Sequence, residues 1–173
     1  MRLFTAIDIP PDVKAALAVV LDKLRPLAKL KWIPLEKLHI TTKFIGEWPD
    51  EPEARLDELK RALSSITGKG PVEIVIRGLG WLPNARRPRI LYAGVEPGEG
   101  LTALAAATGQ AVESVGIAPE NRIYRPHVTL ARINQTVRLD LEQSSIGRFS
   151  ASSFALYLSA AGKYTKLQEF SFK

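Results

Sequence analysis

The feature that most constrains this chain is a repeat at half its length. Arg2-Leu3-Phe4-Thr5-Ala6 is echoed by Arg89-Ile90-Leu91-Tyr92-Ala93, 87 positions on. His39-Ile40-Thr41 is echoed by His127-Val128-Thr129, 88 positions on. A helical pattern lies between the members of each half, beginning near residue 11 and near residue 99. Two copies fill 173 residues. A period this long, seen twice, points to a duplicated α+β unit and not to a solenoid of short repeats. The expectation is a single domain over residues 1–173, built from two pseudo-symmetric lobes.

Strand and helix patterns alternate along the chain. Leu3 to Asp8 is a short apolar strand. Pro10-Pro11-Asp12 opens a helix, since proline is tolerated in a first turn and an acidic residue suits the helix dipole. That helix runs to about Pro26, with Val13, Leu17, Val20 and Leu24 at helical spacing. Leu30 to Ile33 and Leu38 to Ile45 are strands, and Asp50 to about Ile66 is a second helix. Val72 to Leu82 and Arg89 to Val95 are strands around the basic loop Asn84 to Pro88. Leu101 to Val115 is a third helix, His127 to Ile133 a strand, and Leu139 to Ile146 a short helix. Phe154 to Ala160 and Leu167 to Phe172 form a closing hairpin around Gly162.

Both histidines of the chain sit in the pattern His-apolar-Thr, each inside an expected strand. Side chains alternate faces along a strand, so His39 shares a face with Thr41, and His127 with Thr129. If the halves pack about a pseudo-twofold axis, two imidazoles and two hydroxyls converge on one small anion. Imidazoles titrate near neutral pH, so one can accept a proton while the other donates. Hydroxyls can bond the non-bridging oxygens of a phosphate. This set suits water attack on a strained cyclic phosphodiester without a metal or a strong nucleophile. Strict alternation puts Lys43 beside His39 and Thr41, most simply as a solvated strand lysine, and puts Ala131, not Arg132, on the second catalytic face. Arg132 would have to reach in from the strand end, where twist or a bulge can redirect a side chain.

Composition narrows the field. With no cysteine, the chain has no disulfide framework, iron–sulfur cluster or thiolate zinc site. A net charge of +6 favours an anionic partner. The longest fully apolar run, Ala15 to Leu21, is far shorter than the ~20 residues that span a bilayer. Met1 to Asp8 meets charge too early for a secretory segment. A cytoplasmic monomer with no membrane association is the expectation.

Several further blocks carry a resemblance: Met1 to Ile7, Phe44-Ile45-Gly46 after the first motif, Gly78-Leu79-Gly80-Trp81-Leu82-Pro83, Arg87 to Tyr92, and Arg125-Pro126-His127-Val128-Thr129-Leu130-Ala131-Arg132. Leu156 to Ser159 and Tyr164-Thr165 follow in order. With both histidine motifs, the chain resembles the two-histidine (2H) phosphoesterases, in particular the bacterial and archaeal RNA 2′,3′-cyclic phosphodiesterases, also called 2′-5′ RNA ligases. The resemblance implies a bilobal α+β fold, with two mainly antiparallel sheets facing a central cleft and helices outside. It implies hydrolysis of RNA 2′,3′-cyclic phosphate ends, or of small cyclic nucleotides, to 2′-phosphomonoesters, with no cofactor and no metal. It implies His39 as proton donor and His127 as proton acceptor. Thr41 and Thr129 would hold the phosphate, with Arg132 and Arg125 assisting. Ligation forming a 2′-5′ linkage, or RNA binding without catalysis, are the alternatives. Arg86, Arg87, Arg89, Arg122, Arg125 and Arg132 can follow an RNA backbone. Trp81 and Tyr124 are the better candidates to stack on a base, whereas Trp32 and Tyr92 are assigned to the core.

Overall fold

The structure is a computed structural model describing residues 1–49, 53–66 and 70–172. Its elements in order are β1 (Arg2–Asp8), α1 (Pro11–Leu24), β2 (Lys31–Trp32), β3 (His39–Glu47), α2 (Glu53–Ser64), β4 (Val72–Leu82), β5 (Ile90–Val95), α3 (Glu99–Ser114), β6 (His127–Arg132), β7 (Ser145–Ala151), β8 (Ser153–Ala160) and β9 (Lys163–Ser171). The strands form two antiparallel sheets, ordered β3-β1-β8-β9 and β2-β6-β5-β4-β7. This is the expected α+β architecture. Each sheet draws strands from both halves of the sequence. β1 lies between β3 and β8 in the first sheet, as β5 lies between β6 and β4 in the second.

Alternation of side chains builds the core. Leu3, Thr5 and Ile7 of β1 face inward with Ile40 and Leu156. Val72, Ile74 and Ile76 of β4, with Leu91 and Ala93 of β5 and Val128 and Leu130 of β6, do the same in the second sheet. Helix α1 starts as expected, with Pro11 in its first turn and Asp12 behind it. Its buried stripe is Val13, Leu17, Leu21 and Leu24, so Leu21 takes the place expected for Val20. This stripe crosses β7 where Gly147 leaves room: a Cβ on Gly147 would lie 3.2 Å from Val13 Cγ1. In α2, Leu59 and Leu63 are fully buried. The expected start of that helix at Asp50 lies outside the described residues.

The short helix expected over Leu139 to Ile146 is absent, and a strand not foreseen, β7, begins at Ser145. Half-buried Val137, Leu139 and Leu141 alternate with exposed Arg138, Asp140 and Glu142, which is a period of two and not 3.6. The extended segment runs beside β4, where the N–H groups of Gly78 and Leu79 donate to Ser144 O and Glu142 O at 2.9 and 3.1 Å. β9 starts at Lys163, four residues before its expected start. Ala161 and Gly162 both have positive φ, 50° and 75°, so they make a two-residue hairpin turn whose twist matches the flanking strands.

Among buried hydroxyls, Thr5 and Thr42 face one another across β1 and β3, with their oxygens 2.7 Å apart. Thr5→Val strands the Thr42 hydroxyl in the core and should cost about 1–3 kcal/mol in urea denaturation. The double variant Thr5→Val/Thr42→Val should recover most of that loss, because both partners are then apolar.

Candidate active site

Each histidine strand carries one extra residue directly after its His-x-Thr motif. In β3, Thr41 pairs with Ala6 and Lys43 with the next residue back, Thr5, leaving Thr42 as a bulge. In β6, Thr129 pairs with Tyr92 and Ala131 with Leu91, leaving Leu130 as a bulge. A bulge reverses the alternation beyond it. His39 and Thr41 therefore share the open face with Phe44, not Lys43. His127 and Thr129 share theirs with Arg132, not Ala131. Exposure agrees: Phe44 is 61% exposed and Ala131 is fully buried, while Arg132 is exposed. The expectation for Lys43 is thus corrected. It lies across from Thr5, its side chain is only 11% exposed, and its ammonium pairs with Glu120 at 3.5 Å. The apolar positions carry the signal of the second bulge, moving from even to odd numbers between Leu130 and Ala131.

Both imidazoles are held in the same way. His39 Nδ1 lies 2.7 Å from the carbonyl of Lys37, and His127 Nδ1 lies 2.8 Å from that of Arg125. A carbonyl only accepts, so each Nδ1 carries the proton and donates it. That fixes the tautomer and leaves each Nε2 as the atom able to exchange a proton. His39 Nε2 is 3.0 Å from Thr41 Oγ1, whose hydroxyl donates to it when the ring is neutral. β3 and β6 lie against each other, and the charge of His127 acts on His39.

An aromatic wall surrounds the first imidazole. Phe4 stacks on His39 with ring centres 4.9 Å apart, and Tyr157 stacks on the far side of Phe4 at 5.4 Å. Tyr164 meets the His39 ring edge-on at 5.5 Å. Burial holds the His39 pKa below its ordinary 6.5. The Lys37 carbonyl and Asp8 oppose that shift, and the charges of His127 and Lys14 add to it. On the other sheet, Tyr92 meets His127 edge-on at 5.7 Å. Tyr92 is half-buried on the face of Thr129, so its assignment to the core is corrected. Its phenol occupies space left by Gly80, where a Cβ would come within 2.4 Å of the hydroxyl oxygen.

Tyr124, expected as a stacking residue, is an anchor instead. Its hydroxyl donates to Thr41 O at 2.8 Å, tying the loop before β6 to the first motif. Burial pushes its phenol pKa up, so it stays a donor. Trp81 packs against the core. Arg125 contributes its carbonyl to His127, and its side chain is exposed. Arg86 and Arg87 lie in the turn after β4, their N–H groups both donating to Asn84 Oδ1 at 3.0 Å. Reading the sequence missed Phe4, Asp8 and Tyr164 around His39. Their signal lay in strand pairing, which joins residues distant in the chain.

Comparison with known proteins places the chain in a family. The model of LigT-like phosphoesterases matches residues 7–92. A Thermus thermophilus protein named RNA 2′,3′-cyclic phosphodiesterase is 36% identical over 138 residues, covering 76% of this chain and 68% of the relative. An Archaeoglobus fulgidus protein of the same name is 32% identical over 155 residues, covering 89% and 84%. A solved Thermus thermophilus structure superposes with a TM-score of 0.84 at 32% identity, covering 99% of this chain and 97% of the other. E. coli LigT complexed with 3′-AMP gives 0.82 at 25%, covering 99% and 98%. The chain belongs to the LigT-like phosphoesterase family, the 2H phosphoesterases. No helix among the described residues is long and apolar enough to cross a membrane.

Nitrogen-15 NMR should find both neutral imidazoles in the Nδ1–H form. His39 should titrate below 6.5. Inorganic phosphate should raise that midpoint, because a bound anion favours the imidazolium.

Proposed function

We propose that this chain hydrolyses 2′,3′-cyclic phosphate ends of RNA to 2′-phosphomonoesters by two-histidine acid–base catalysis. The observation that carries this reading is the matched pair of imidazoles. Each is locked through Nδ1 onto a backbone carbonyl, and each stands beside a threonine on the open face of its strand. The names of the relatives supply the substrate class. The repeat in sequence and the bulge after each motif support two lobes of a duplicated unit, each giving one His-x-Thr strand.

The reaction needs two proton transfers. His127 Nε2 takes a proton from water as the water oxygen bonds to phosphorus. The bond from phosphorus to the 3′ oxygen breaks, and His39 Nε2–H protonates that oxygen. Thr41 and Thr129 donate hydrogen bonds to the non-bridging oxygens, and Arg132 adds positive charge on the same face. Burial disfavours charge on His39 in the free enzyme, whereas the acid must be charged to donate. The phosphodiester resolves this, since its negative charge raises the His39 pKa on binding. Phe44, exposed on that face, offers a ring on which a base can stack.

An assay on a nucleoside 2′,3′-cyclic phosphate, run with a chelator, tests the reading. His39→Ala and His127→Ala should each lose at least ~10²-fold in kcat. Turnover undiminished in either variant, or no turnover by the native chain, contradicts it.

The bulges make a second comparison. Arg132→Ala should raise KM by on the order of 10-fold, the loss of one hydrogen bond to a charged group. Lys43→Ala, on the opposite face, should leave KM within a factor of about 2 of the native value.

A further inference from the structure

Asp8 ends β1 directly opposite His39 at the start of β3. Residues opposite one another in an antiparallel pair point to the same face, with Cβ atoms ~5 Å apart. The Asp8 carboxylate is itself fixed from two directions. Tyr157 Oη–H donates to Oδ1, and Lys166 Nζ donates to Oδ2 at 2.6 Å. Burial keeps the Tyr157 phenol protonated as a donor. Tyr157 in turn stacks on Phe4, and Phe4 stacks on His39. Asp8, Tyr157, Phe4 and His39 thus form a chain of contacts over β1, β8 and β3, whose two ends are register partners in the β1–β3 pair. Neither sequence motif contains Asp8, Tyr157 or Phe4.

We propose that Asp8, held by Tyr157 and Lys166, is a positioning residue for His39, the fixed counter-charge against which its imidazole is charged and discharged. The proposal rests on His39 being the proton donor. The other groups facing His39 leave this role open to Asp8. Lys14 on α1 and His127 on β6 carry or gain positive charge. Lys37 gives its carbonyl to Nδ1, and its ammonium lies over the Tyr164 ring at 5.4 Å. Among the described residues, Asp8 is the one group acting on His39 that brings a negative charge. Lys166 offsets part of that charge, so the pair acts as a divided control: the carboxylate favours the imidazolium, and the ammonium moderates it.

The test uses the fact that the chain has only two histidines. The His39 resonance is assigned by its persistence in His127→Gln, and its titration is followed by NMR in Asp8→Asn and Lys166→Met. Asp8→Asn should lower the His39 midpoint by about half a pH unit, and Lys166→Met should raise it, as expected for a charge ~6 Å away in a partly solvated site. The limb of the kcat/KM profile that tracks His39 should move in the same two directions. A role confined to stability predicts no shift of opposite sign. Folded variants that both keep the native midpoint overturn the proposal. If the midpoints move in a protein that does not open cyclic phosphates, the proposed reaction fails while the hold of Asp8 on His39 stands.

Discussion

One extra residue in each of two strands decides what the site contains. A regular strand would place Lys43 and Ala131 on the open face after the two His-x-Thr motifs. The bulges at Thr42 and Leu130 turn those residues away and bring Phe44 and Arg132 round. The inward turn of Thr42 is satisfied by the Thr5 hydroxyl, and that of Ala131 by complete burial. The same irregularity, at the same place in both motifs, gives one side of the site an aromatic ring and the other a guanidinium. Under the proposed function, the ring would serve a base and the guanidinium the phosphate charge.

The backbone positions the imidazoles, and the sheets tune them. A carbonyl two residues before each histidine holds its Nδ1 proton, which turns a flexible ring into an oriented one with a single reactive nitrogen. Tuning then differs between the two. His39 lies among Phe4, Tyr164 and the strand backbone, where burial disfavours its charge. Under the proposed reaction, a histidine whose charge burial disfavours would become a competent acid as the phosphodiester binds, because a bound anion favours the imidazolium. The lowered pKa of His39 is therefore compatible with the proposed role of proton donor.

Much of this was legible in the chain itself. The His-x-Thr pairs, the strands that carry them and the pairing of both with a preceding helix follow from spacing and alternation. Strict alternation failed beyond Thr41 and Thr129, because a bulge leaves only a faint mark, the shift from even to odd apolar positions at Leu130 and Ala131. The segment before β7 differs from its expected helix because Leu139 and Leu141 are too few to separate a period of two from one of 3.6. Asp8, Phe4 and Tyr157 were out of reach for a different reason. Their relation to His39 exists only once β1 lies between β3 and β8, and nothing local announces that order. Tyr92 and Tyr124 exchanged their expected parts for the same reason, since a partner across the sheets decides whether an aromatic ring lines the site or braces it.

The fate of the attacking water tests the central claim most directly. Hydrolysis of a nucleoside 2′,3′-cyclic phosphate in ¹⁸O-labelled water, followed by phosphorus NMR, reports which bond forms and which breaks. The two-histidine account predicts a 2′-monophosphate carrying one labelled oxygen on phosphorus. A 3′-monophosphate, or a product whose phosphate gains no label, would contradict it.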